Sequence, residues 1–327
     1  MKTYNILILC AGRRVELVQA FRRASSDLGI ESQIIGADSV ELAPALYYCD
    51  QHVILPRIEE PDYLPEIIQV CQKYNIALLV PTIDTDLLLL SENRQIIESR
   101  TGAKVLVSEF ETIKICRDKI KTQLFLEANG FKMPKRYNNV ELDHEELVYP
   151  LFAKPKSGSS SINTMKIENV EELKAYRTLV KDAIIQDFAD GNEYTIDAFM
   201  DFDGQIITIV PRHRIAVRTG EISKGQVVKD REIINSVRKL MAVLPCIGHI
   251  TIQLKKSECG LQYIEINPRF GGGAPMSIRA GADSCKNLYR LLMGECLSYN
   301  EDYRDKTYFL RFDDNIALSE DLEVIQW

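Results

Sequence analysis

Three oxygen-bearing side chains stand at a spacing that suits a hard divalent cation. Gln253 lies in the apolar run 250–254, and Glu265 and Asn267 are two positions apart in the run 261–267. Residues two apart on a strand share a face. The polar stretch 256–260 reads as a turn that brings Gln253 back beside them. Two amide oxygens and a carboxylate fit Mg²⁺, which takes few protein ligands and fills its octahedron with phosphate and water. Arg269, two residues beyond Asn267, would neutralise phosphate charge. An ordinary hairpin with a wet polar face would carry the same residues.

Lys154 ends a strand-like stretch and is followed by Pro155, Lys156, Ser157, Gly158, Ser159, Ser160 and Ser161. Backbone N–H groups and hydroxyls in such a run can wrap a polyphosphate, and Gly158 lets the backbone approach closely. The pattern G-x-x-x-x-G-K-[ST] is absent, so this is not a P-loop. A surface linker reads the same way. Gln186, Asp187, Phe188, Ala189 and Glu193 run strand, connector, strand. A hinge of that kind offers backbone groups to an adenine edge and a carboxylate to ribose hydroxyls, or is simply a turn at Asp190-Gly191.

Positioning these groups takes two kinds of architecture. From residue 5 to about residue 107, strand-like and helical stretches alternate, which implies right-handed βαβ units in a doubly wound parallel sheet. The first turn, Cys10-Ala11-Gly12-Arg13-Arg14, has one glycine where a dinucleotide fold wants G-x-G-x-x-G. An anion at the helix N-terminus, helped by Arg13 or Arg14, stays open beside a plain turn. Beyond residue 109, two close helical stretches lead into short strands with few helices, an α+β texture.

The composition narrows the function. With 46% hydrophobic and 27% charged residues over 327 positions, the chain reads as a globular protein of two or three lobes. Its net charge of −7 argues against a nucleic-acid partner. Eight cysteines without a C-x-x-C pair read as reduced core residues, and the four scattered histidines lack metal-site spacing. The apolar run 6–10 is too short for a signal segment, and no run approaches the ~20 residues that span a bilayer. A cytoplasmic protein without a membrane partner is expected.

In order and spacing these segments resemble the ATP-grasp superfamily. Asp118-Lys119 opens a helix, Lys154 precedes the Gly/Ser run, the hinge 186–193 follows, and Gln253 comes before Glu265-Ile266-Asn267-Pro268-Arg269. The nearest likeness is one module of the carbamoyl phosphate synthase large subunit. The resemblance implies a pre-ATP-grasp domain over 1–108 and a two-lobed ATP-grasp domain over 109–327, its small lobe about 120–187 and its C-terminal lobe about 188–327. It implies that Lys119 and Lys154 contact α- and β-phosphates and that Ser157, Gly158, Ser159, Ser160 and Ser161 close over the triphosphate. Gln186, Asp187, Phe188 and Ala189 would hold adenine and Glu193 the ribose. Gln253, Glu265 and Asn267 would carry Mg²⁺, with Mn²⁺ as an alternative, and Arg269 would face the terminal phosphates. Many members have a carboxylate where Gln253 stands. The length accommodates one module, so a complete carbamoyl phosphate synthase is not expected.

The chemistry implied is activation of a carboxylate by ATP as an acyl phosphate, then capture by an amine or a thiol. Small-molecule carboxylates and amines are the expected substrates, and a homodimer fits many relatives. Arg214 or Arg218 is the candidate for stabilising the transferred phosphate or clamping a carboxylate. Residues 157–161 and 218–227 are the candidate lids. Two rivals stand beside this reading: a non-catalytic ATP-binding regulatory module, and an NAD-dependent oxidoreductase suggested by the opening βαβ pattern.

Overall fold

A computed structural model describes residues 3–144, 146–156 and 162–325. The first part is built from β1 (Asn5–Leu9), α1 (Val15–Leu28), β2 (Ile34–Asp38), β3 (Gln51–Ile54), α2 (Tyr63–Lys73), β4 (Ile76–Pro81), α3 (Asp86–Thr101) and β5 (Lys104–Val105). The five strands are parallel, in the order β3-β2-β1-β4-β5. Every residue of β1 is buried because helices cover both faces. Ile6 and Ile8 face the cluster that holds Phe21 of α1, while Leu7 and Leu9 face Ile67 of α2 and Leu90 of α3. Gly29 ends α1 in a left-handed conformation, φ 62°. The order runs outward both ways from β1 and β4, so a crevice forms beyond their carboxyl ends.

Then come α4 (Phe110–Arg117), α5 (Lys119–Ala128), β6 (Arg136–Tyr137), α6 (Asn139–His144), β7 (Leu151–Pro155), β8 (Met165–Ile167), α7 (Val170–Leu179) and β9 (Ala183–Asp187). Their strands form an antiparallel sheet, β6-β9-β7-β8. The last part holds β10 (Asn192–Met200), β11 (Ile206–Arg218), β12 (Glu221–Val227), α8 (Arg231–Val243), β13 (Gly248–Ser257), β14 (Gly260–Asn267), α9 (Ala274–Ala280), α10 (Ser284–Leu292) and β15 (Thr307–Leu310). Its antiparallel sheet runs β14-β13-β10-β11-β12-β15. Helix α8 buries Ile233, Ile234, Val237 and Leu240 at helical spacing. The Asp230 side chain starts that helix by accepting from the N–H groups of Glu232 and Ile233.

The first sheet and the last part share one core. Phe21 meets Phe270 and Tyr289 edge-on, with ring centroids 6.2 and 5.9 Å apart. The parallel sheet and the α+β remainder agree with the sequence reading. One expectation is corrected. Residues 221–227, read as part of a lid, form β12, which is paired on both sides by β11 and β15. Ile222, Gly225 and Val227 are buried along it, so its core contacts hold it in the sheet. The other expected lid, residues 157–161, lies outside the described residues.

Candidate active site

The hairpin β13–β14 sets Gln253 opposite Glu265 and Thr251 opposite Asn267. The Asn267 amide nitrogen donates to Glu265 Oε1 at 2.9 Å. The Gln253 amide nitrogen donates to Glu193 Oε1, on the neighbouring strand β10. Each amide thereby spends its NH₂ side on a carboxylate and turns its carbonyl oxygen the other way. Gln253, Glu265 and Asn267 thus share one corner of the sheet, two amides beside a carboxylate, and oxygens of these types are the donors that Mg²⁺ prefers. The sequence reading brought Gln253, Glu265 and Asn267 together, and the structure does the same.

Two lysines reach the same region from other elements. Asp118 accepts from the N–H groups of Ile120 and Lys121, which fixes Lys119 as the first residue of α5. Lys119 Nζ donates to the Pro155 carbonyl at 2.8 Å, placing it at the end of β7 beside Lys154. Lys154 is nearly buried, at 9% exposure. That burial pushes its ammonium down to about 8, Glu265 opposes the fall, and Lys119 adds to it. Burial also lowers Lys119, again with Glu265 opposing. Glu265 is therefore the carboxylate that both lysines feel. Ser157, Gly158, Ser159, Ser160 and Ser161 lie outside the described residues.

At the hinge, Gln186 is buried in β9 between Phe152 and Arg136 of the neighbouring strands. Asp187 is more committed than the sequence suggested: its N–H donates to the Lys135 carbonyl, and its Oδ1 accepts from Tyr137. Its N–H is thus unavailable to a ligand, because β9 continues its pairing to this residue. Ala189 is buried. The Phe188 ring lies between two ammonium groups, Lys166 Nζ and Lys255 Nζ, each 5.0 Å from its centroid. Neither lysine stood out in the sequence, since each is one of many charges on an ordinary strand.

The arginines divide. Arg214 Nε pairs electrostatically with Glu193 Oε1 at 2.9 Å, and Glu193 in turn accepts from Gln253, so the three side chains line up towards that corner. Arg269 grips Asp84 with two nitrogens, at 3.2 and 2.6 Å, and so ties β14 to the carboxyl end of the first sheet. Arg14, in the first turn, bonds Glu221 at 3.3 Å. A side chain at Gly272 would collide with both, so Arg14 reaches the glycine loop behind Arg269. Arg218 stands apart: it is exposed at the end of β11 and bridges Asp313 at 2.6 Å. Behind the site, Arg212 is buried and held by Asp197 at 2.7 and 3.0 Å. Asp197 also accepts from Ser277 at 2.5 Å and lies 3.3 Å from His249 Nε2. Burial would raise the Asp197 carboxyl, but Arg212 and His249 hold it far below the carboxylate range.

Comparison with known proteins identifies the two parts of the chain. Residues 6–106 match the PylC-like N-terminal domain, and residues 116–273 match the ATP-grasp domain. The chain thus carries an ATP-grasp domain preceded by a PylC-like N-terminal domain. Over 189 residues it is 24% identical to a carbamoyl-phosphate synthase of Methanobrevibacter smithii, covering 57% of this chain and 50% of that one. The chain spans half or less of the length of the curated relatives it matches. Among solved structures, the biotin carboxylase domain of Hydrogenobacter thermophilus 2-oxoglutarate carboxylase, in complex with MgADP, covers 94% of this chain and 74% of its own. The identity is 17% and the TM-score 0.71. An L-amino acid ligase from Bacillus licheniformis gives 19% and 0.66, covering 89% of this chain and 75% of its own. At these identities the likeness establishes the fold. Among the described residues, no helix is long and apolar enough to cross a membrane.

Proposed function

We propose that this chain is an ATP-dependent ligase that joins a carboxylate to an amine through an acyl phosphate. The observation that carries the reading is the convergence on Glu265: two lysines, from α5 and β7, feel its charge, Gln253 stands opposite it on β13, and the Asn267 amide nitrogen donates to it on β14. Positive and negative groups gathered in one half-buried corner suit a metal-complexed polyphosphate. Lys119 and Lys154 hold its charge, the hinge 186–193 receives the base and the ribose, and Gln253, Glu265 and Asn267 hold the metal. Bound Mg²⁺ would neutralise charge between phosphates. Arg269, steadied by Asp84, faces the transferred phosphate, and Arg214 steadies Glu193.

In the reaction, a carboxylate oxygen attacks the γ-phosphorus and ADP leaves. The amine nitrogen then attacks the acyl carbon, inorganic phosphate leaves, and the nitrogen gives up a proton. The side chains act by position and electrostatics, so no nucleophilic residue is needed. The test is ADP release from Mg-ATP with a panel of carboxylates and amines, using an ¹⁸O-labelled carboxylate for any active pair. The reading requires release that depends on the carboxylate, with label appearing in inorganic phosphate. Release indifferent to the carboxylate, or phosphate without label, contradicts it.

Lys154 gives the site a pH signature. Its ammonium is lowered to about 8 in the free protein, and phosphate favours the protonated form. Below that pH the lysine is already charged and binding is level. Above it, the proton must be regained on binding, so Mg-ATP affinity should fall towards about tenfold per pH unit. Titration calorimetry from pH 7 to 10 reads this, and Lys154→Arg should flatten the curve. A wild-type affinity that stays level to pH 10 contradicts it.

A further inference from the structure

A cavity of about 270 Å³ opens at the carboxyl edge of the parallel sheet, with Cys10, Asp38, Tyr63 and Asp86 among its lining residues. Asp86 begins α3 and has no solvent exposure. Its Oδ1 accepts from Tyr63 at 3.2 Å, while its Oδ2 has no hydrogen-bond partner. A buried carboxylate oxygen without a partner is costly, and each such group in a folded protein calls for an explanation. Asp38, by contrast, is occupied: it accepts from the Gly12 and Val40 N–H groups at 2.8 and 3.1 Å. Arg57 lines the cavity too but makes no hydrogen bond to Asp86 among the described residues. Among those residues, no three of His, Cys, Asp and Glu are placed to hold a metal ion. Asp86 is two residues from Asp84, the partner of Arg269, so the cavity adjoins the proposed phosphoryl-transfer centre.

We propose that this cavity is a binding subsite for the primary ammonium group of a small-molecule substrate, with Asp86 Oδ2 as its acceptor. One open oxygen suits an ammonium, which is a compact point charge. A guanidinium fork wants both oxygens, and Tyr63 holds the other. The inference deepens the ligase reading, on which it rests for the ligand's role though not for its binding: the ammonium is the anchor of the amine-bearing substrate.

The facing groups set how binding depends on pH. They are Cys10 from the turn after β1, Asp38 from β2, Arg57 and Glu59 from the loop before α2, Tyr63 from α2, and Asp84 before α3. Burial pushes the Asp86 carboxyl up to about 6; the nearby Cys10 thiol and the Tyr63 hydroxyl oppose this, and Asp38 and Asp84 add to it. Burial raises Cys10 and Tyr63 as well, so both stay protonated through neutral pH.

The probe is n-butylammonium, with n-butanol as its uncharged counterpart, and titration calorimetry is the readout. Wild type should bind butylammonium saturably and ignore butanol. Asp86→Asn, which still accepts from Tyr63, should bind it at least tenfold more weakly while keeping its response to Mg-ATP. Wild-type binding should also weaken at pH 5 relative to pH 7.5, a measurement that needs no variant. No saturable binding, equal binding by Asp86→Asn, or equal binding at the two pH values overturns the subsite. Butylammonium binding without any Mg-ATP response would sink the nucleotide reading alone, and the reverse pattern the subsite alone.

Discussion

Glu265→Gln is expected to lower ATP turnover by about 10³-fold, or about 4 kcal/mol of transition-state stabilisation, with the fold kept. The substitution keeps the shape and removes one charge. That charge is the opposing field felt by both Lys119 and Lys154 and the only full negative charge among the three proposed metal ligands. Its loss weakens the cation and unbalances the lysines together, which is why the effect should exceed that of one lost hydrogen bond. A corollary follows for Lys154: without Glu265 its pH limb should begin below the wild-type position, because the group that held its ammonium up is gone. Steady-state ADP release across pH reads both. A variant within threefold of wild type would place the metal elsewhere.

Asp197→Ala is expected to cost about 3–5 kcal/mol of stability, the largest structural effect among these substitutions. Arg212 and Asp197 are each about 1% exposed and are joined by two hydrogen bonds. Removing the carboxylate strands a guanidinium inside the protein and deprives Ser277 and His249 of their common partner. Arg212 already has one nitrogen, Nη1, without a hydrogen-bond partner, and that nitrogen lies against Gly273. The glycine loop after Arg269 therefore rests on this buried pair, and activity should fall along with stability. Asp197→Ala combined with Arg212→Met should recover part of the loss, since a buried pair replaced by apolar groups costs far less than a pair broken on one side. Urea unfolding with an unchanged m-value reads the difference. A cost under 1 kcal/mol for Asp197→Ala would mean that Arg212 finds another partner or water.

The parallel sheet was legible because β1 is an unbroken apolar run and α1 ends at Gly29, signals that local sequence carries whole. Glu265 and Asn267 were legible for a similar reason: two positions on one strand share a face. β15 was not, since its residues alternate between half-buried and exposed and present no apolar side to read. Nor was β12, whose Ser223-Lys224-Gly225-Gln226 core reads as loop until β11 and β15 flank it. The arginine partners were hidden by distance. Arg269 and Asp84 are 185 residues apart, and Arg14 and Glu221 are 207 apart. No local periodicity says which of many charges will meet across two sheets. Residue type still pointed to the crevice, since Arg14 was read in the turn that follows β1.

The most direct test of the central claim is the melting temperature with and without Mg-ATP, for wild type and for Glu265→Ala. At a hundred times its Kd, Mg-ATP should stabilise the wild type by about 2.7 kcal/mol, and Glu265→Ala should lose most of that shift while melting normally alone. A wild type indifferent to Mg-ATP, or a variant that responds as strongly as wild type, would contradict the placement of the nucleotide and metal on Lys119, Lys154, Gln253, Glu265 and Asn267.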